Sequence, residues 1–363
     1  MQDHILEELQ RFLRSGVQEC SVVVMPDFFL DRLINVDWNP QVFSKNVEMM
    51  LERKGGSIDG IKQTELRGGN AVNTASALAA LGFNAIPIVC TDGFGLRLMK
   101  FYLKSRRVDL SHVKTLDQPS ITTAMEFKTK YGKGNVMLRD LGSLANFGPE
   151  NLDSHDFEAI ENADYVCVFN WAGTRRFGIE LAKTVFRRTK KNGRGRTYFD
   201  TADPIPNEEE IPELVKKVLQ TRDVDVLSVN ENEAICYASA VSDEMKQSGK
   251  GLKFWELAKE AARILASRLS ARVDLHTTLF AGTFTEKDET VVPAFKVPVL
   301  RATGAGDTWN AGNIVGDAHK LSDECRLALA NAAAACYVSS PGATHPTTKE
   351  LLKFLEKQRR KGS

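Results

Sequence analysis

The sequence has no marked excess of charge of either sign: Lys and Arg number 48, Asp and Glu number 47, and the formal net charge is +1. This balance gives no electrostatic reason to expect nucleic acid or a membrane surface as a partner. No apolar run approaches the roughly 20 residues of a membrane span. The amphipathic segment MQDHILEELQRFLRSG at the start lacks the apolar core of a signal peptide.

Cysteine and histidine patterns that indicate a disulfide framework or a metal centre are missing as well. The six cysteines are scattered without a CxxC pair, and the six histidines form no HxH or HExxH pattern. Such cysteines favour reduced, buried thiols in a cytoplasmic protein, and a zinc site is not expected. We find no internal repeat, low-complexity tract or long flexible linker in the sequence.

Short apolar runs that alternate with helical segments make up most of the chain. With 363 residues, 42% of them hydrophobic, the chain can form one large domain with an appendage or two modest domains. Strand-like runs include SVVVM (21–25), YVCVFN (165–170) and VDVLSVN (224–230), whereas NAVNTASALAAL (70–81) is helical. The alternation predicts an α/β fold with a mainly parallel sheet flanked by helices.

Two regions break this alternation. Residues 37–67 are polar and contain the turn signal RKGGSIDG, and residues 121–139 alternate polar and apolar side chains around the turn YGKGN. Alternation around a glycine-containing turn is typical of a β-hairpin. Both regions therefore predict β-structure outside the main sheet, in the form of a small flap.

The glycine-rich stretch RATGAGDTWNAGN (301–313) opens a predicted helix. Glycines just before a helix let backbone N–H groups point into one small volume, and the helix dipole attracts an anion such as a phosphoryl group there. A glycine turn with Asp307 as a capping acid is the plain alternative. A dinucleotide fingerprint is excluded because Trp309 stands where glycine is needed, and GSIDGIKQT has the wrong spacing for a Walker A loop.

Five segments in this order resemble the ribokinase/PfkB family of carbohydrate and nucleoside kinases. They are PDFFLD (26–31), RGGNAVNTASALAALG (67–82), VNENEA (229–234), ATGAGDTWNAG (302–312) and ANAAAACYVSSPGATHPTT (330–348). The resemblance implies a single ribokinase-like kinase domain over 1–363, doubly wound, with a small β-sheet lid from about 37–67 and 121–140. It also implies a homodimer that pairs through the lid.

The same resemblance implies ATP-dependent transfer of the γ-phosphate to a hydroxyl, often a hydroxymethyl group, of a sugar. A nucleoside kinase is the nearest alternative, with Phe28, Phe29, Trp38 and Trp171 as a base-stacking pocket; aromatic residues at strand ends are more often core. A catalytically silent regulatory homologue is the alternative from another class.

In this family pattern Asp307 is the catalytic base, and Gly304, Ala305 and Gly306 supply the N–H groups of an anion hole. An acid at a helix N-terminus is expected to have a lowered pKa and to be a weak base. A weak base suits phosphoryl transfer, because the proton leaves the acceptor hydroxyl late.

Substrate contacts are expected from the first two segments. Asp31 and Asp27 follow a buried strand, and ligands bind at the strand ends of parallel sheets. Asp31 is the favoured contact, whereas a loop-capping role is more plausible for Asp27. Gly68 and Gly69 would let the backbone approach substrate and act as a lid hinge, and Asn73 can donate to and accept from hydroxyls.

Nucleotide and magnesium contacts are expected from the later segments. Asn230 and Glu233 share a face of a helical turn and would hold Mg²⁺ mainly through water and the ATP phosphates, near Glu233; ordinary helix capping is the alternative. Further candidates are the phosphate contact Arg139 and the adenine contacts Thr278, Asn331 and Gly342. The segment TLFAG (278–282) departs from the family pattern, because Phe280 stands where glycine is common.

Arg301 is a second departure from the family. Relatives commonly have an acid here, which in potassium-activated members helps to bind the ion. A fixed positive charge stands in its place here. We therefore hypothesise that a functional monovalent cation site is absent and that the guanidinium of Arg301 takes the role of the ion. A surface arginine beside a shifted loop is the alternative.

Overall fold

A computed structural model of the chain describes all residues except 131, 193, 244, 246–250, 343 and 363. Its central sheet has eight strands, which in chain order are β1 (Ser21–Met25), β4 (Asn84–Pro87), β9 (Tyr165–Phe169), β10 (Arg196–Asp200), β11 (Val226–Val229), β12 (Arg272–His276), β13 (Phe280–Phe284) and β14 (Glu289–Pro293). Their spatial order is β14-β13-β12-β11-β10-β9-β1-β4. The pairs from β4 to β12 are parallel, and β13 and β14 add an antiparallel hairpin at one edge.

Helices cover both faces of this sheet. In chain order the helices are α1 (Asp3–Ser15), α2 (Pro40–Glu52), α3 (Asn70–Ala80), α4 (Gly93–Tyr102), α5 (Ser154–Asn162), α6 (Gly178–Asn192), α7 (Ile211–Leu214), α8 (Glu231–Val241), α9 (Phe254–Arg268), α10 (Ala305–Ala318), α11 (Asp323–Val338) and α12 (Thr348–Gly362). Of these, α2 has no buried residue and does not take part in covering the central sheet. Alternate residues of β1 enter two different cores: Val23 and Met25 pack on one face, Val22 and Val24 on the other. The predicted doubly wound α/β fold is confirmed.

A separate four-stranded sheet forms the lid, in the order β3-β2-β7-β8. Its strands are β2 (Phe29–Val36), β3 (Lys62–Gly68), β7 (Ser120–Thr129) and β8 (Gly132–Asp140). A two-stranded ladder of β5 (Cys90–Thr91) and β6 (Lys114–Thr115) completes the β-structure of the described residues. Since β2 belongs to the lid, Asp31 lies on a lid strand and not in a loop after β1.

The structure corrects the prediction of β-structure throughout 37–67, because α2 occupies the middle of this region. Asn39 caps the helix by accepting a hydrogen bond from the backbone N–H of Val42 at 2.8 Å, and Pro40 stands at its first position. Both are helix-start signals. The polar composition of residues 37–67 obscured these two helix-start signals, and no residue of α2 is buried.

The predicted hairpin over 121–139 is present, with a tighter turn than expected. The pairing of Thr129 with Gly132 makes Gly132–Asn135 part of β8, so only residues 130 and 131 connect the strands. Tyr131, the first residue of the predicted YGKGN turn, lies outside the described residues.

Two asparagines attach helix α10 to the end of the central sheet. The amide of Asn310 donates to Asp200 Oδ2 at 2.6 Å, and its oxygen accepts from Tyr198 Oη at 2.8 Å. One turn further on, Asn313 Nδ2 donates to Asp274 Oδ2 at 2.8 Å. Buried hydrogen bonds of this kind specify one position of the helix, because any shift would leave polar groups unpaired.

Asp274 is also the centre of a buried ion cluster. Arg326 of α11, only 1% exposed, contacts Asp274 Oδ2 at 2.9 Å, and Arg272 contacts the same atom at 2.9 Å. These two positive charges hold the pKa of Asp274 well below its usual range in spite of burial. The cluster connects β12, α10 and α11. All six cysteines are free thiols.

Among the described residues, no helix combines the length and the apolar composition needed to cross a bilayer.

Candidate active site

A cavity of about 310 Å³ lies between the lid and the carboxyl ends of the central strands. Ligands bind at this edge of open α/β sheets because loops and helix N-termini converge there. The lid contributes Phe29, Asp31, Thr122, Met137 and Arg139; strand ends contribute Asn170, Asp200, Asn230 and His276; the glycine loop contributes Thr303, Gly304, Gly306 and Asp307.

Asp307 lies in the first turn of α10 and is only 6% exposed. Its Oδ1 accepts a hydrogen bond from Asn70 Nδ2, and its Oδ2 accepts one from Asn73 Nδ2, both at 2.9 Å. Asn73, an expected substrate contact, lines the cavity, and its amide also donates to this carboxylate. The two amides therefore hold Asp307 in one orientation at the cavity wall.

The prediction that the pKa of Asp307 is lowered was wrong. Burial, followed by the nearby charges of Asp200 and Asp27, raises this pKa well above its usual range. The hydrogen bonds from Asn73 and Asn70 act in the lowering direction and are outweighed. A dipole at a helix end changes a pKa less than desolvation beside two like charges does. The carboxylate is accordingly a stronger base than an ordinary aspartate.

The glycine loop leaves backbone donors available at the start of α10. Gly304 has φ +86°, and a Cβ there would lie 2.5 Å from Tyr337 Oη, so the position requires glycine. Ala305 N–H donates to Ala302 O at 3.1 Å, whereas the N–H groups of Gly304 and Gly306 have no acceptor within the described part of the chain. The geometry suits an anion hole made by the two glycines, with Ala305 occupied in a turn.

Asp27 and Asp31 have different surroundings. Asp27 is fully buried and accepts hydrogen bonds from the backbone N–H groups of Asn70 at 2.8 Å and Ala71 at 2.9 Å, so it caps α3. Asp31 lines the cavity, and burial raises its pKa to about 7. Its hydrogen bond with Thr122 and the charge of Arg139 oppose that rise. Arg139 itself lies over the Phe29 ring, 5.1 Å from the ring centroid.

The glycine pair at the end of β3 brings these acids close to the lid backbone. A Cβ at Gly68 would lie 2.1 Å from Asp31 Oδ2, and one at Gly69, where φ is +94°, would lie 2.7 Å from Asp27 O. Side chains at these two positions would displace Asp31 or clash with the backbone of Asp27 and Phe28. The pair is thus required for the position of the acids.

Asn230 and Glu233 form a reciprocal capping box at the start of α8. Glu233 Oε2 accepts from Asn230 N at 2.9 Å, and Asn230 Oδ1 accepts from Glu233 N at 3.1 Å. Burial and the charge of Asp200 raise the pKa of Glu233 well above its usual range. Both residues also line the cavity, so capping and ligand contact are compatible.

The described side chains are not arranged to ligate a metal ion directly. Among the described residues, no group of three or more acidic, histidine or cysteine side chains is arranged to hold an ion. Clustered carboxylates such as Asp200 and Glu233 nevertheless fit a hydrated Mg²⁺, which keeps most of its waters and needs few protein oxygens.

A second cavity of about 460 Å³ adjoins the glycine loop and is lined mainly by apolar side chains. Thr278 and Asn331, the expected adenine contacts, both line it. Asn331 accepts from Trp309 Nε1 at 2.9 Å and donates to Pro293 O at 3.2 Å, so its side chain is already engaged. The structure does not bring Gly342 to this cavity; Gly342 and Arg301 line a third cavity elsewhere.

Several lining residues were missed by sequence reasoning. Asp200 and Asn170 end the apolar runs TYFD and YVCVFN, and His276 ends β12. The rule that ligands bind at strand carboxyl ends could have found them. Asn170 also has a left-handed backbone and donates to Asp27 Oδ2 at 2.9 Å.

The fold and the site together define an α/β protein with the ribokinase fold. The structure of an Arabidopsis thaliana ribokinase complexed with ribose and ATP superposes with a TM-score of 0.66 at 21% identity, covering 94% of this chain and 99% of that one. Adenosine kinase from Sinorhizobium meliloti superposes with a TM-score of 0.69 at 18% identity, covering 95% and 100%.

Sequence comparison identifies the family. The model of the pfkB family carbohydrate kinases matches residues 43–350, so the chain belongs to this family. A ribokinase of Haemophilus influenzae is 27% identical over 312 residues, which are 84% of this chain and 92% of the relative. The protein is thus a member of a family of carbohydrate kinases.

The raised pKa of Asp31 predicts a pH dependence of stability. Between its ordinary value of 3.8 and about 7, the folded state holds this proton more tightly than the unfolded chain does. The contribution of Asp31 to stability therefore falls as pH rises through this window. As the pH is raised through this window, the free energy of unfolding in urea should fall less for Asp31→Asn than for wild type. Asp37→Asn, at an exposed lid position, should show the same fall as wild type. Parallel curves for all three proteins would contradict the assignment.

Proposed function

We propose that this protein is an ATP- and magnesium-dependent kinase that phosphorylates a hydroxyl of a sugar, with Asp307 as the base. The observation that carries this proposal is the position of Asp307. Its buried carboxylate lies beside the available N–H groups of Gly304 and Gly306, in the same cavity as Asp31. A proton acceptor, an anion hole and a hydroxyl-binding acid are the parts that phosphoryl transfer to an alcohol requires.

In this mechanism Asp307 accepts the proton of the sugar hydroxyl while the hydroxyl oxygen bonds to the γ-phosphorus. The bond from that phosphorus to the bridging oxygen breaks, and ADP leaves with the electron pair. Asn70 and Asn73 keep the carboxylate aimed at the hydroxyl. The amides of Gly304 and Gly306 stabilise the charge on the transferring group. Bound Mg²⁺ would neutralise phosphate charge, with Asn230 and Glu233 holding its waters.

The remaining residues are assigned by position. Asp31 and Arg139 line the substrate side of the cavity, where Asp31 would accept hydrogen bonds from sugar hydroxyls. Adenine would lie in the second cavity, against Thr278 and Asn331. We treat residues 1–363 as one kinase domain in the cytoplasm, with a lid that includes β2 in addition to 37–67 and 121–140.

The placement of the aromatic side chains favours a sugar over a nucleoside. Phe28 and Trp171, two of the four candidates for a base-stacking pocket, are 0% and 1% exposed and belong to the core. Phe29 lines the cavity, but Arg139 lies over its ring. A nucleobase would need a flat apolar slot beside Asp31. Phe28, Phe29 and Trp171 do not form such a slot in these positions.

An apolar strip on the lid supports a homodimer. Val136 and Leu138 stand two residues apart on β8, an edge strand, so they share a face, and they are 53% and 56% exposed. Exposed apolar edges are covered in natural proteins because they otherwise promote aggregation. We propose that a second lid covers this strip, and a monomeric mass by light scattering would contradict this.

Substitution of the base tests the mechanism. Asp307→Asn should lower turnover by about 100- to 10,000-fold, because an amide cannot accept the proton. Nucleotide affinity, measured by calorimetry, should be unchanged, since the glycine loop keeps its backbone. Asp59→Asn, at an exposed position between α2 and β3, is the matched control and should retain full activity. Undiminished turnover of Asp307→Asn would refute the role of the carboxylate.

A substrate panel tests the acceptor class. With ATP as donor, pentoses, hexoses, inositols and nucleosides are compared by kcat/KM. We expect the best substrate to be a sugar, with nucleosides at least about 10-fold poorer, because a missing stacking contact is worth about that factor. A nucleoside as best substrate would establish the alternative kinase, and inactivity of wild type on every acceptor would favour the silent homologue.

Arg301 leads to a prediction on potassium. We propose that the enzyme does not need a monovalent cation, because a fixed guanidinium charge repels one at this position. Turnover in potassium chloride and in tetramethylammonium chloride should agree within about twofold, since the ions differ only in their ability to enter a small site. A strong rise with potassium would contradict the proposal.

A further inference from the structure

The third cavity, which we call the arginine cavity, lies behind the glycine loop. It measures about 370 Å³, and its lining includes Arg67, Arg301, Tyr337, Gly342, Thr344 and His345. Two guanidinium groups enter it, and none of the described residues that line it is acidic. It therefore has an uncompensated positive charge, whereas the active-site cavity is rich in carboxylates.

Two buried polar atoms of the arginine cavity have no partner within the described part of the chain: Arg67 Nε and His345 Nε2. An unpaired buried polar group costs free energy, so a ligand that pairs with it would be stabilised. Burial lowers the pKa of the Arg67 guanidinium and, together with the charge of Arg67, lowers the pKa of His345 to about 3. His345 is therefore neutral at physiological pH.

The hydrogen bonds of His345 identify what its free nitrogen can do. The hydroxyl of Thr308 donates to Gly304 O at 2.9 Å, so it can only accept from His345 Nδ1, 3.2 Å away. In a neutral imidazole with its proton on Nδ1, Nε2 is an acceptor. The arginine cavity thus offers one unpaired donor, Arg67 Nε, and one unpaired acceptor, His345 Nε2.

We propose that the arginine cavity binds a protonated oxyanion, with inorganic monohydrogen phosphate as the fitting ligand. Its unprotonated oxygens accept from the guanidinium groups of Arg67 and Arg301, the geometry that arginine favours for phosphate. Its single O–H donates to His345 Nε2. Sulfate has the same shape and charge but no O–H at neutral pH, so it leaves His345 Nε2 unpaired.

Tyr337 connects this site with the glycine loop. Its hydroxyl donates to Thr303 O at 3.1 Å, and Arg301 lies within hydrogen-bonding reach of the same hydroxyl. Its ring stacks on His345, with the ring centroids 4.9 Å apart. Arg67 directly precedes the glycine pair at the end of lid strand β3. A phosphate here therefore links the lid strand to the anion-hole loop without entering the substrate cavity.

Calorimetric titration of the full chain with inorganic phosphate, in the absence of nucleotide and sugar, tests the site. Arg67→Gln and Arg301→Gln should each lower the affinity by about 10-fold or more, because each removes a charge-assisted hydrogen bond. Arg139→Gln removes a like charge from the active-site cavity, and Arg222→Gln removes one from the loop before β11. Both should bind phosphate within about twofold of wild type.

A second comparison tests the role of His345. Wild type should bind phosphate more tightly than sulfate, and His345→Phe, which keeps a ring against Tyr337, should lose that preference while its sulfate affinity stays the same. Three outcomes would overturn the proposal. They are equal phosphate affinity in all arginine variants, a loss of phosphate affinity in Arg139→Gln alone, and no phosphate binding by wild type. Should Arg67→Gln fail to fold, Arg301→Gln on its half-buried loop decides alone. Kinase activity enters none of these measurements, so their outcome is independent of the proposed reaction.

Discussion

The attachment of helix α10 to the sheet sets the position of everything else in the site. Asn310 and Asn313 place polar contacts on the buried side of the helix, which puts its first turn at the open edge of the strands. Asp307 and the available amides of the glycine loop are in that turn. Because the amides of Asn70 and Asn73 then hold Asp307, helix α3 and the lid strand that precedes it are also positioned by α10.

Burial of like charges is the second constraint, and it follows from the first. The attachment of α10 brings Asp200 and Asp307 into one cavity together with Glu233. Burial, together with the charge of Asp200, raises the pKa values of Asp307 and Glu233. Such crowding destabilises the ligand-free protein and favours a ligand that carries cations or donates protons. The arginine cavity has the opposite charge on the other side of the same loop, so the glycine loop separates an acidic site from a basic one.

Much of the fold was predictable because its signals are local. Runs such as SVVVM and helices such as 70–81 follow from periodicity, and the alternation predicted the parallel sheet that the structure has. The lid was predicted less well, since no residue of α2 is buried and its local start signals are only the capping Asn39 and Pro40. One side of α2, with Phe43, Val47 and Met50, is half-buried, and so narrow an apolar stripe is easily missed in a polar segment.

For the site, the sequence by itself determined which residue types stand at strand ends and helix starts: Asp307, its glycines, and the Asn230–Glu233 pair all follow from motifs. Tertiary structure alone decided their environments. Burial raises the pKa of Asp307, and Asp200 and Asp27, which remote segments bring near it, raise it further. Asn73 contacts Asp307 because α3 packs against α10. Gly342 and Arg301 meet Arg67 only in the folded chain. Burial and charge proximity depend on contacts between distant segments, and no local pattern encodes them.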